Sequence, residues 1–99
     1  MAGRMFVDDI GISLVYSHGT MRYPWPEIAS VDVWAWLLPP LGQRLVEIDI
    51  SHVSGESTCA NEMLDGFFEA AAAIATRSGA RLPDLTVLDP SDGVIQIYP

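Results

Sequence analysis

Glu47 and Asp49 are the first candidates for chemistry, because residues two apart on a strand point to the same face. Paired carboxylates hydrolyse glycosides when one acts as the acid and the other as the nucleophile or base. The alternative is a solvated outer face, since a sheet buried on one side alternates apolar and polar residues in this way. If this face binds a molecule, an acidic strip beside apolar groups suits a basic protein better than it suits catalysis.

Trp34 and Trp36 also share one strand face, and the segment 37–41 that follows is apolar where hairpin tips are normally polar. Exposed clusters of tryptophan and leucine are typical of partner-binding surfaces. The alternative is that a second layer, either a helix or a folded-back terminus, covers the two indoles. The predicted partner-binding residues are Trp34, Trp36, Leu38, Leu41, Glu47 and Asp49.

Cys59 is the only cysteine, which excludes an intrachain disulfide. It lies just before a predicted helix start, where a thiolate would be stabilised, and His18 or His52 could serve as a base. No signature of a cysteine enzyme surrounds it, and cysteine is among the residue types most often buried. We therefore predict a structural cysteine, no catalytic residues and a protein that is not an enzyme.

Three aspartates, Asp84, Asp89 and Asp92, share one segment and could in principle hold a cation. Their spacing does not match a calcium-binding loop, and the sequence Asp-Pro-Ser-Asp-Gly is ordinary turn chemistry. Two histidines and one cysteine are too few for a zinc site, and the glycines form no phosphate-binding loop. We predict no metal and no cofactor.

The composition narrows the classes of partner. Residues 1–99 make a single domain, and the net charge is −8, from 13 acidic residues and five arginines, with no lysine. Such a surface repels nucleic acid and anionic membranes, so we predict neither as a partner. A basic protein is a better electrostatic match, unless the charge serves solubility alone. The chain start lacks a signal-peptide pattern and the longest apolar run is short, which predicts a cytoplasmic protein.

A helix is predicted over residues 61–79. Asn61 is a good N-cap, Gly79 is a typical residue after a helix end, and apolar residues recur at spacings of three and four between them. Gly66 is unfavourable inside a helix, by about 1 kcal/mol against alanine, and would allow close approach to a strand.

The remaining segments favour short strands. Alternating residues predict a half-buried strand over 12–17 and a strand over 45–51 whose register is well specified, because a slip by one residue would bury Glu47 and Asp49. Prolines 24 and 26 predict a short helical turn rather than a strand. Other strands are predicted at 4–8, 31–37, 58–60 and 94–98, with a loop over 80–93. The pattern predicts an α+β fold: an antiparallel meander sheet or half-barrel packed by one C-terminal amphipathic helix, with a short final strand.

The segment 23–31, Tyr-Pro-Trp-Pro-Glu-Ile-Ala-Ser-Val, together with the helix start near 62–68, resembles small bacterial proteins that have a pleckstrin-homology-like (PH-like) barrel or half-barrel. The resemblance implies a scaffold for binding. Some such proteins look like immunity or accessory proteins beside toxin or secretion genes. The basic lipid-headgroup loop of the eukaryotic relatives has no counterpart in this chain.

Three functions follow as expectations. The first is a non-enzymatic protein-interaction domain, for example an acidic immunity or inhibitor protein that binds a basic partner, or a homodimer. The second is a small ligand-binding protein or enzyme with a pocket between sheet and helix, which would need Tyr16, Tyr23, His52 and Cys59 to line it. The third is a structural subunit of a larger assembly.

Overall fold

The computed structural model describes residues 3–99 of the chain and shows an α+β fold with two antiparallel sheets. The first sheet is a meander of three strands, β1 (Arg4–Val7), β2 (Gly11–Tyr16) and β3 (Gly19–Pro24). A short 3-10 turn, Trp25–Glu27, follows and leads into the second sheet. The predicted helical turn at Pro26 is therefore confirmed, whereas Pro24 is the last residue of strand β3.

The second sheet contains β4 (Ile28–Leu38), β5 (Gln43–His52), β6 (Ser57–Asn61) and the final strand β7 (Ile95–Tyr98), in the order β6-β5-β4-β7. A helix, α1 (Phe67–Ser78), connects β6 to β7 through a loop with two 3-10 turns. The α+β class, the antiparallel pairing, the late helix and the short last strand are confirmed.

The inner face of the second sheet forms the core together with the buried side of α1. Burial alternates along β4 and β5 as the sequence predicts, and each buried valine or isoleucine stabilises the fold by about 1.5–3 kcal/mol. The inward residues of these two strands are Ile28, Val31, Val33, Ala35, Val46, Ile48 and Ile50. The opposite face of the sheet therefore points away from the core.

The helix begins six residues later than predicted, because tertiary hydrogen bonds hold the preceding segment. Asp65 accepts from the backbone N–H of Met5 at 2.8 Å and donates to the carbonyl of Gly3 at 3.0 Å. Gly66 then starts the helix with a φ of 78°, where a Cβ atom would lie 2.5 Å from the Met5 carbonyl oxygen. The N-cap prediction for Asn61 is therefore wrong, whereas Gly79 ends the helix as predicted.

Strand β2 is more buried than its alternation predicts. Ser13 is fully buried between Phe6 and Arg22, its partners on the two neighbouring strands. The Arg22 guanidinium donates to the Ser13 hydroxyl at 3.3 Å and pairs with Asp8 at 2.9 Å. The prediction of a half-buried strand is wrong at Ser13, because long side chains on the adjacent strands cover a small polar one.

Candidate functional site

The outer face of the second sheet, hereafter the outer face, gathers most of the predicted partner-binding residues. Cross-strand register places Trp34 opposite Glu47, and Glu47 opposite Asn61. The next row along the sheet places Asp32 opposite Asp49, and Asp49 opposite Cys59. Side chains directly opposite on one face are within contact distance, so these two rows form one continuous surface.

The two indoles on the outer face stack on each other. The ring centroids of Trp34 and Trp36 are 6.1 Å apart and the ring planes are inclined by 23°. Both residues are half-buried, and the core that includes α1 lies behind the opposite face. The helix therefore does not cover the indoles, which excludes that form of the second-layer alternative.

The indole N–H groups of Trp34 and Trp36 have unusual surroundings. Both Nε1 atoms are shielded from solvent; that of Trp34 has no hydrogen-bond partner among residues 3–99, whereas that of Trp36 lies beside the Glu47 carboxylate and opposes the rise in the pKa of Glu47, although it does not reach hydrogen-bond geometry. A buried donor without an acceptor costs about 1–3 kcal/mol. The unpaired indole N–H of Trp34 therefore does not stabilise the isolated chain.

Three carboxylates lie beside the indoles. Partial burial raises the pKa of Asp32, and the negative charge of Asp49 raises it further. Partial burial also raises the pKa of Glu47. A cation placed among these carboxylates would lower the pKa values of Asp32 and Glu47 again, because it favours their ionised forms.

Cys59 lies on the outer face and is exposed, so the expectation of a buried thiol is wrong. Its S–H group donates to Asp49 Oδ1 at 2.9 Å. This hydrogen bond is the main reason that the pKa of Cys59 rises to about 12, and desolvation adds to it. The thiol is thus protonated at neutral pH, whereas a nucleophilic cysteine needs a lowered pKa.

The histidines contact groups other than the cysteine. His52 Nε2 lies 3.0 Å from Glu27 Oε1, and its Nδ1 lies 2.8 Å from the hydroxyl of Ser54. His18 stacks on Tyr16 with a centroid separation of 5.3 Å. The structure therefore does not assemble a cysteine–histidine pair.

Potential metal-ligand atoms of Glu47, Asp49 and Cys59 lie within 4.8 Å of one another. The sulfur binds metals as the thiolate, so a cation would have to displace a proton that Asp49 holds on the thiol.

The three aspartates of the 80–93 loop form hydrogen bonds within the turns of that loop. The Thr86 hydroxyl donates to Asp84 and the Ser91 hydroxyl donates to Asp89, and these side-chain hydrogen bonds lower the pKa values of the two aspartates.

An apolar groove adjoins the carboxylates at the end of the outer face near the β4–β5 hairpin. It has a volume of about 600 Å³, and its walls include Trp36, Leu38, Leu45, Glu47, Asn61 and Met63. Leu41, at the hairpin tip, is 80% exposed. The sequence predictions omit Met63, because residue 63 was expected inside a helix, whereas it follows β6 and is 68% exposed.

The pocket predicted for the enzyme alternative does not form as one cavity. Tyr23 and His52 line a cleft of about 230 Å³ together with Arg22, Glu56 and Thr58. Tyr16 stacks on His18 at the β2–β3 hairpin, and Cys59 points to the outer face. Tyr23 and His52 therefore share one cleft, while Tyr16 and Cys59 lie on two other surfaces.

No family model, curated protein or solved structure matches this chain. Among residues 3–99, no helix is both long and apolar enough to cross a membrane. Function therefore has to be inferred from the geometry of the outer face.

Proposed function

We propose that this protein is a non-enzymatic interaction domain that binds a basic partner protein through the outer face. The observation that carries the proposal is the stacked pair of Trp34 and Trp36 beside the carboxylates of Asp32, Glu47 and Asp49, on a face that the helix leaves uncovered. Trp34, Trp36, Leu38 and Leu41 provide apolar anchors. Glu47 and Asp49 attract and orient basic side chains.

The energetics favour a cationic partner over a neutral one. An arginine or lysine over an indole face contributes about 0.5–2 kcal/mol, and tryptophans are among the residues that dominate binding energy at interfaces. The net charge of −8 increases the association rate with a basic protein at low salt. Because the pKa values of Asp32 and Glu47 are raised, binding weakens as the pH falls through those pKa values and the carboxylates are protonated.

The proposal extends to the scaffold, the cellular location and the group of proteins. We propose a PH-like scaffold related to the small bacterial proteins that segment 23–31 resembles, on the basis of that resemblance alone. The strand β7 after the helix departs from that pattern. We assign the protein to the cytoplasm and to the group of immunity or accessory proteins, as a binder of a basic protein.

The experiment is an affinity purification from a lysate of the source organism, with quantitative mass spectrometry. The purified chain is compared with Trp34→Ala/Trp36→Ala and with Glu47→Gln/Asp49→Asn. The matched control is Ile10→Ala/Val87→Ala, which alters two exposed apolar residues, one in the turn between β1 and β2 and one in the loop between α1 and β7. Circular dichroism first confirms that each variant is folded.

The proposal predicts that the same basic protein is retained by the wild type and the control and is lost from both outer-face variants. Retention at low salt that disappears at high salt is expected for the charged contribution. Equal recovery of that protein by all four chains would contradict the proposal. Recovery of the chain itself as the main partner would instead indicate a homodimer.

A further inference from the structure

We infer that the partner contributes an extended basic segment that adds to the open edge of β6 as a fifth strand of the second sheet. This inference rests on the proposed function, because it describes how the partner of the outer face is held. It specifies a recognition mode in which main-chain hydrogen bonds provide affinity and alternate side chains provide specificity.

The hydrogen bonds between β5 and β6 identify which backbone groups face the open edge. Glu62 donates its N–H to the carbonyl of Val46 at 3.0 Å, and His52 donates to the carbonyl of Glu56 at 2.7 Å. Hydrogen-bonded and non-hydrogen-bonded pairs alternate along an antiparallel ladder. Even-numbered residues of β6 therefore bond to β5, and the backbone groups of Ser57, Cys59 and Asn61 point outward.

These outward groups form a template for another strand. Among residues 3–99, the N–H groups of Ser57, Cys59 and Asn61 have no acceptor, and the carbonyls of Ser57 and Cys59 have no donor. The Asn61 carbonyl differs, because it accepts from Leu64 at 3.1 Å. Three free donors and two free acceptors on alternate residues match the spacing of one added strand.

The edge strands β1, β3 and β7 carry features that oppose strand addition, and in β3 these are the charged Arg22 and the terminal Pro24. The edge of β1 is occupied by Asp65, which bonds to the backbone of Met5 and Gly3. The pairing of β7 with β4 has a register irregularity, and a proline follows β7 directly. By contrast, β6 contains no proline and no charged residue, and its pairing with β5 is regular. Edges without such features pair readily with another chain.

Charge selects the class of segment that fits β6. The strand itself is neutral, but Glu56 and Glu62 flank it, and Asp49 lies beside Cys59 one strand further in. Neighbouring strands are about 4.8 Å apart, so a lysine or arginine on the added strand reaches across Cys59 to the Asp49 carboxylate. Pairing between two copies of this chain would instead oppose a charge of −8 with a charge of −8.

The apolar groove beside β6 accepts an apolar side chain of the added segment. Asn61 and Met63 form its wall on the β6 side, and Trp36 and Leu45 form the wall towards β4 and β5. Thr58 points inward, and its hydroxyl lies 2.7 Å from that of Tyr23, so β3 closes the inner side of β6. The side chains of the added strand that point to the outer face are therefore the ones that bind, with basic residues reaching Asp49 and an apolar residue entering the groove.

The test uses a phage-displayed library of random twelve-residue peptides selected on the purified chain at low salt. The inference predicts enrichment of peptides with lysine or arginine at every second position and an apolar residue near one end. Cys59→Pro removes an outward N–H without breaking a bond to β5, and Cys59→Val is the matched control that keeps the N–H. The expected loss of affinity for the selected peptide is about tenfold or more for the proline variant, and none for the valine variant.

A peptide-side measurement decides the result if Cys59→Pro does not fold. N-methylation removes backbone N–H donors from the selected peptide. One set of peptides is methylated at the odd-numbered residues and the other set at the even-numbered residues, and only one of these sets faces β6. Strand addition predicts that one set of methylated peptides loses binding and that the other set retains it. Equal effects of both sets, binding of Cys59→Pro at wild-type affinity, or no enrichment of basic alternating peptides would each overturn the inference.

The same peptides separate this inference from the proposed function. Loss of binding in Trp34→Ala/Trp36→Ala together with full binding in Cys59→Pro would support the outer face and contradict strand addition. The reverse pattern would support strand addition and contradict the role of the tryptophans. Sedimentation velocity completes the test, since a concentration-dependent dimer that Cys59→Pro abolishes would contradict a basic partner as the occupant of β6.

Discussion

Replacing Asp32 by asparagine is expected to stabilise the fold near neutral pH. Asp32 lies opposite Asp49 on the outer face, and partial burial and the Asp49 charge both raise its pKa. Like charges directly opposite on a sheet destabilise it, by an amount comparable to the favourable pairs, about 0.2–1 kcal/mol. We therefore expect the free energy of unfolding of Asp32→Asn at pH 7 to exceed that of the wild type by about 0.5–1 kcal/mol.

The raised pKa of Asp32 determines how the stability difference between the wild type and Asp32→Asn changes with pH. A carboxylate whose pKa is higher in the folded state binds more protons there, so its contribution to stability falls as the pH rises through the folded pKa. Below about 3.9, the pKa of an aspartate in the unfolded chain, Asp32 is protonated in both the folded and the unfolded state. The destabilisation by its negative charge then vanishes. The difference between the wild type and Asp32→Asn should therefore grow as the pH rises above about 4.

The assay is urea denaturation followed by circular dichroism at several pH values between acid and neutral. Asp49→Asn and the double variant complete a double-mutant cycle, in which Asp32→Asn should stabilise less once the Asp49 charge is gone. The control is Asp84→Ala, which should destabilise the fold at neutral pH, because hydrogen bonds from Thr86 lower the pKa of Asp84. A wild type as stable as Asp32→Asn at pH 7, or a difference that does not vary with pH, would refute the reasoning.

Two further predictions concern the backbone and the thiol. Gly66→Ala should destabilise the fold by about 2–4 kcal/mol, because its φ is positive and its Cβ would meet the Met5 carbonyl, whereas Gly79→Ala, with a similar φ and open space, should cost about 1–2 kcal/mol. Equal melting temperatures for the two variants would show that the clash is relieved at no cost. Cys59 should react slowly with iodoacetamide at pH 8 although it is exposed, because its pKa is about 12, and Asp49→Asn should accelerate the reaction. A rate equal to that of a free cysteine in an unfolded chain would contradict the assigned hydrogen bond.

The strands of the second sheet could be predicted because their alternation is local. Two-residue periodicity in β4 and β5 is sufficient to place Trp34, Trp36 and Glu47 on the face opposite Val33 and Ile48. The proximity of Asp32, Asp49 and Cys59 was not predictable in the same way, because it depends on the register between three strands. Cross-strand register is set by hairpin geometry and core packing, which a single strand does not encode.

The start of the helix was mispredicted because local and tertiary signals disagree there. Asn61 and the acidic residues after it satisfy the usual pattern of a helix N-terminus. The backbone of Asp65 nevertheless bonds to β1, and Gly66 adopts a positive φ, so the segment before Phe67 cannot be helical. Because residue 63 was assigned to the helix, the sequence did not predict that Met63 lines the groove at the candidate site.

Hydroxyl-radical footprinting of the chain, with and without the partner retained by affinity purification, tests the central claim most directly. The proposal predicts that oxidation of Trp36, on the outer face, and of Met63, in the adjoining groove, falls when the partner is bound. Oxidation of Met21, which is exposed on β3 in the other sheet, should not change. Protection of Met21 without protection of Trp36 and Met63 would contradict the claim that the outer face is where this protein binds its partner.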